Sequence, residues 1–167
     1  MSIIVKLDEI LKRVVEIGYW KLPIPSNIDT DIINCIKSYQ SLPKDKQMSL
    51  RDSINMDIAR LLLYFSERMA TFALRTRDQD VFQLGLLALD LINGQEYLRE
   101  ILFVMPLFYD ASKRSKLSFE KVPYQNDDFA NFIEDFLSRD EEDKSLECMG
   151  YILTKDEDNN LTYQRTW

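Results

Sequence analysis

Apolar residues recur at intervals of three and four along most of the chain, and the interval shortens to two only near its end. Ile3, Ile4, Leu7, Ile10, Leu11, Val14 and Val15 form one helical face, with Lys6, Glu9, Lys12, Arg13 and Glu16 opposite. Gly18 supplies the stop. In "LPIPSN" two prolines restrict themselves and the residues before them, so an extended connector follows. A second helix places Asp29 and Asp31 in its first turn, where carboxylates suit the positive end of the dipole, and buries Ile32, Ile33, Ile36 and Tyr39 before stopping near "SLPK".

Ser49 and Asp52 have capping spacing and predict the start of a long third helix that runs to about Leu74. Its apolar face is wide, leaving Arg60, Glu67, Thr71 and Arg75 as a polar stripe, so this helix is expected at the centre. The stretch "RTRDQDVFQLGLLALDL" then holds Thr76 and Gln79 at capping-box spacing, with Asp78 and Asp80 at the start of a fourth helix. Asn93-Gly94 is the expected stop. Gly85 and Ala88 share a face and allow a close approach, and helices three and four form an antiparallel hairpin.

A fifth helix spans 96 to about 116, with Pro106 in its interior as an expected kink. Arg99, Phe103, Pro106, Asp110 and Lys113 fall on one stripe of it, which implies either partly buried charges or an exposed apolar spot. Residues 126 to 137 give a short acidic helix with Phe129, Phe132, Ile133 and Phe136 on one side, and "SRDEEDKS" follows as a solvated linker. From 151 to 167 the alternation predicts a small β-hairpin with a five-residue loop. The fold class is therefore mainly α: a compact multi-helix bundle or stacked helical hairpins, with a small C-terminal β-hairpin. One domain, 1–167, comprises a helical core (1–137), an acidic linker (138–146) and a hairpin-like segment (147–167).

Composition narrows the function. Only four glycines are present, which favours long helices over many tight turns. Histidine is absent, removing the commonest general base, the Ser-His and Cys-His pairs and the commonest metal ligand. Cys35 and Cys148 lack metal-ligand spacing and read as thiols in a reducing compartment. "DEDNNLT" alternates like a calcium loop, yet Leu161 stands at the glycine position and Trp167 at the glutamate position. No phosphate-binding, dinucleotide-binding, zinc-protease or nucleophile-elbow motif occurs. Neither cofactor nor metal is expected, and the chain reads as no enzyme. Charges interrupt every apolar run, so neither a signal peptide nor a membrane span is expected and the reading is cytoplasmic.

The net charge of −7 is unevenly spread. Residues 1–119 hold 16 basic against 15 acidic side chains, and residues 120–167 hold 5 against 13. Such an acidic end repels phosphate backbones, which argues against nucleic acid, and it suits a basic protein partner. Residues 66–114, from "SERMATFALRTRDQDVFQLGLLALDL" through "YLREILFVMPLFYDASKR", resemble a group of uncharacterised bacterial helical proteins. That resemblance implies a bacterial, all-helical core and carries no activity.

The leading expectation is a non-catalytic interaction protein, immunity-type or regulatory, that meets a basic partner through Asp127, Asp128, Glu134, Asp135 and Glu141. The alternative is a small-molecule-binding helical domain with its pocket at Met105, Pro106 and Tyr109. A carboxylate-dependent enzyme comes third.

Overall fold

A computed structural model describes residues 2–92 and 96–139, together with the paired backbone of 151–155 and 161–165. The first helix, α1 (Ile3–Ile17), starts where the Ser2 hydroxyl accepts from the Val5 amide and ends at Gly18, whose φ of 65° only glycine adopts readily. Its buried face is Ile3, Leu7, Ile10 and Val14, while Val15 turns outward at 78% exposure. After a short 3-10 turn at Tyr19–Lys21 comes α2 (Asn27–Gln40). Ser26 and Asp29 form a reciprocal capping box there.

A helix that the apolar period did not announce follows, α3 (Lys44–Asp52). Pro43 opens it, and only Gln47 and Leu50 are buried from it, too thin a face to generate a periodic signal. Ser49 therefore lies inside α3 and caps nothing. The long helix α4 (Met56–Thr76) is capped by Asn55, whose side chain accepts from the Ile58 amide at 2.9 Å. As expected, Arg60, Glu67, Thr71 and Arg75 are its exposed stripe.

The Thr76–Gln79 capping box is not formed. Helix α4 continues through Thr76, whose hydroxyl donates back to the Phe72 carbonyl, and Arg77 adopts the left-handed conformation that ends it. Asp78 caps α5 (Gln79–Asp90) by accepting from the Asp80 and Val81 amides. Gln79 instead clasps the backbone of Ser118, donating to its carbonyl and accepting from its amide, both at 2.8 Å. The Asn93-Gly94 stop falls outside the described residues; α5 itself ends at Asp90.

Helices α6 (Leu98–Arg114), with Pro106 inside it, and α7 (Asp127–Ser138) complete the bundle. At the C-terminal end, β1 (Tyr151–Lys155) pairs antiparallel with β2 (Leu161–Arg165), Leu153 opposite Tyr163; the hairpin loop lies outside the described residues. The centre is α4, packed against α1, α5 and α6. Gly85 makes the closest approach: a Cβ there would stand 2.8 Å from the Phe108 ring and 3.1 Å from Met69 Cβ. Beside it the Ser66 hydroxyl donates to the Gly85 carbonyl at 2.6 Å, tying α4 to α5. Phe82 then meets Phe108 and Phe119 edge-on, continuing the core toward Phe136 of α7.

Candidate functional site

Helix α7 is placed by two sets of contacts. Phe129, Ile133 and Phe136 bury one side of it. The segment before it is held by Asp90, the last residue of α5, whose carboxylate accepts from the Gln125 and Asn126 amides at 3.0 Å. Asn126 then caps α7 by accepting from the Asp128 amide. Among the described residues Asp90 has no direct cation. Tyr39 of α2 donates its hydroxyl to it at 3.4 Å, and that hydroxyl accepts from Arg51 of α3 at 2.5 Å. Burial raises the Asp90 carboxyl from 3.8 to about 6, against the pull of the Asn126 and Gln125 amides and of Arg51.

With its apolar side fixed, α7 turns its carboxylates outward. At 3.6 residues per turn, Asp127, Asp128, Glu134 and Asp135 fall within an arc of about 120°, and all four are exposed. Asp127 makes a loose pair with Lys44 at 3.8 Å, both side chains being well exposed. Asp128, Glu134 and Asp135 have no ion-pair partner among the described residues. Glu141, the fifth residue of the expected acidic surface, lies outside the described residues.

Alongside this face runs a cleft of about 290 Å³ between α7 and the first turn of α6. Ile101 and Phe129 form its buried floor, the half-buried Leu98 and Phe132 its apolar sides, and Asp128 and Asp135 its rim. Phe129 and Phe132 stack with centroids 6.0 Å apart and planes 19° from parallel. The sequence placed the acids together because they share a helical face. It missed the cleft because Leu98 and Ile101 join it from another helix.

The residues of the alternative site all lie on α6. Met105 is fully buried in the core, Pro106 is half-buried, and the Tyr109 ring packs edge-on against Phe136 at 5.8 Å with the Lys113 ammonium 4.8 Å from its centroid. On the stripe containing Pro106, the apolar spot is the exposed one: Phe103 is 55% exposed, with the Arg99 guanidinium over its ring.

Sequence reasoning also passed over a buried ion pair. Arg68 of α4 directs two N–H groups at Asp29 of α2, at 2.7 and 3.1 Å, and the others at the carbonyls of Tyr19, Leu22 and Pro23. Asp29 also accepts from the Tyr19 hydroxyl and the Ser26 amide. Burial alone would raise its carboxyl, but these donors, Arg68 first, hold it below its ordinary value. The signal was available: Arg68 stands three residues after Phe65 and four before Phe72, on the apolar side of α4.

Other clefts carry both signs of charge. The groove between α1 and α2, about 500 Å³, is lined by Lys6, Lys12 and Arg13 together with Glu9 and Asp31, and Arg13 already pairs with Asp31. Exposed Trp20 and Tyr64 edge a cleft of about 400 Å³ beside Arg68 and Glu67. Among the described residues no group of Cys, Asp and Glu is arranged to hold a metal ion, and no helix is long and apolar enough to cross a membrane. No family model, curated protein or solved structure matches the chain.

Proposed function

We propose that the protein is a non-catalytic interaction protein, an immunity-type or regulatory partner that binds a basic protein through the acidic face of α7. The observation that carries this reading is the exposed arc of Asp127, Asp128, Glu134 and Asp135, three of them without an ion-pair partner among the described residues. Exposed charges of one sign gathered on one face repel one another, and a partner of opposite sign relieves that repulsion. Complementary charge also steers encounter and rejects partners of the wrong sign. The lack of histidine and of any catalytic motif supports a binding role over a chemical one.

Affinity capture from native cells at low and high salt tests the reading, with the wild-type chain compared against a variant carrying Asp127→Asn, Asp128→Asn, Glu134→Gln and Asp135→Asn. The expected outcome is a basic protein retained by the wild type at low salt, released at high salt and absent from the variant. Equal recovery by both chains would remove the acidic face from the account.

A further inference from the structure

We propose that the cleft between α6 and α7 receives a basic amphipathic helix of the partner, with two cationic residues seven positions apart and a pair of apolar residues between them. This rests on the reading of the acidic face as the interface, and it names what seats there. The cleft combines two chemistries. Its floor and sides are apolar, with Leu98 and Phe132 left half-buried over Ile101 and Phe129. Its rim carries Asp128 and Asp135, exposed and without ion-pair partners among the described residues. An uncharged apolar occupant would leave both carboxylates facing it unpaired, and an anionic surface, whether nucleic acid or bilayer, would be repelled by them. A cationic amphipathic segment satisfies floor and rim together.

The spacing of the rim selects the backbone. Asp128 and Asp135 are seven residues apart on one helix, which separates them by about 10 Å along nearly the same column. A partner helix lying along α7 matches that separation with cations at i and i+7, and its residues at i+3 and i+4 then face Leu98 and Phe132. An extended segment presents side chains on one face at intervals of about 7 and 14 Å, which straddle the distance instead of meeting it. The stacked Phe129–Phe132 pair fixes the wall, so little of the cleft has to be formed on binding.

The probe is an end-capped helical peptide, alanine- and glutamine-based, with lysines seven positions apart flanking a leucine pair. Its control has the same composition with the lysines five positions apart, on different faces. Titrated by fluorescence anisotropy against the full chain, the matched peptide should bind about tenfold more tightly than the control, from two exposed ion pairs and a seated apolar anchor. The double variant Asp128→Asn/Asp135→Asn should lose that preference, and Asp127→Asn/Glu134→Gln should keep it. Equal binding of the two peptides, weakened by salt, would overturn the cleft while leaving the acidic face standing. A preference that survives Asp128→Asn/Asp135→Asn would overturn it too, as would binding of neither peptide, in which case the capture experiment judges the acidic face by itself.

Discussion

Asp29 and Asp90 are both shut off from solvent, yet the first meets a guanidinium directly and the second, among the described residues, reaches one through a tyrosine hydroxyl. Around Asp29 the arrangement is saturated: both carboxylate oxygens are engaged by Arg68, and the remaining guanidinium N–H groups go to three carbonyls of the connector after α1. Around Asp90 the donors are two backbone amides and one hydroxyl, none of them charged. The consequence is opposite in sign. Asp29 is held ionised below its ordinary range, while Asp90 is pushed up to about 6. Two carboxylates with the same burial thus differ in whether the fold favours the charged or the neutral form. The first pins the connector to the central helix. The second pins the segment that leads into the acidic helix α7.

The largest effect should come from breaking the saturated site. Arg68→Met leaves a buried carboxylate without its cation and three carbonyls without their donor, and should cost about 3–5 kcal/mol in urea unfolding. Converting both partners, Arg68→Met with Asp29→Leu, should recover a substantial part of the loss, because no lone charge remains buried. A single variant within about 1 kcal/mol of the wild type would show that the pair is not closed to water.

Next in size is the pH response of Asp90. Its folded value lies above its unfolded one, so the stability it contributes is fully present below about 4 and is lost as the pH rises through about 6. A rise of about two units corresponds to roughly 3 kcal/mol over that window. Asp29 acts the other way: its contribution is present above 3.8 and is lost as the pH falls through its lowered folded value. Urea midpoints across this range should therefore fall between about pH 4 and 6, and Asp90→Asn should flatten that slope. An unchanged slope in the variant would assign the titration elsewhere. Asp90→Ala should cost about 1–3 kcal/mol at neutral pH, since the Gln125 and Asn126 amides lose their acceptor.

How much of this was legible follows the range of each signal. Helical faces were, because Leu7, Ile10 and Val14, or Phe129, Ile133 and Phe136, repeat within one element. The acidic arc of α7 was legible for the same reason. Its cleft was not, since Leu98 and Phe132 are brought together only by packing. Caps failed where two candidates stood close together: Thr76 has the right spacing, but Arg77 closes α4 one residue later and Asp78 takes over. Asp29 was read as a residue suited to a helix dipole, and its partner Arg68 lies 39 residues away. Asp90 went unread, although a lone charge among the apolar residues of "LLALDL" was a signal within one element.

The smallest effect separates a relayed cation from a direct one. Arg51 is half-buried and touches Tyr39, so Arg51→Gln removes no partner from Asp90 itself and should cost under about 1 kcal/mol at neutral pH. Its positive charge nevertheless holds the Asp90 carboxyl down, against burial and the absence of any nearer cation. Removing it should move the Asp90 midpoint upward from about 6 and extend the pH-dependent window in that direction. Tyr39, Tyr124, Gln125 and Asn126 remain around the carboxylate and supply no charge at that pH. Following the Asp90 carboxyl carbon by NMR through a pH titration of the wild type and of Arg51→Gln reads the shift directly. An upward displacement means that the guanidinium's charge reaches the carboxylate across the tyrosine, whereas coincident curves would leave the contrast between the two sites to the direct Arg68 pair at Asp29 alone.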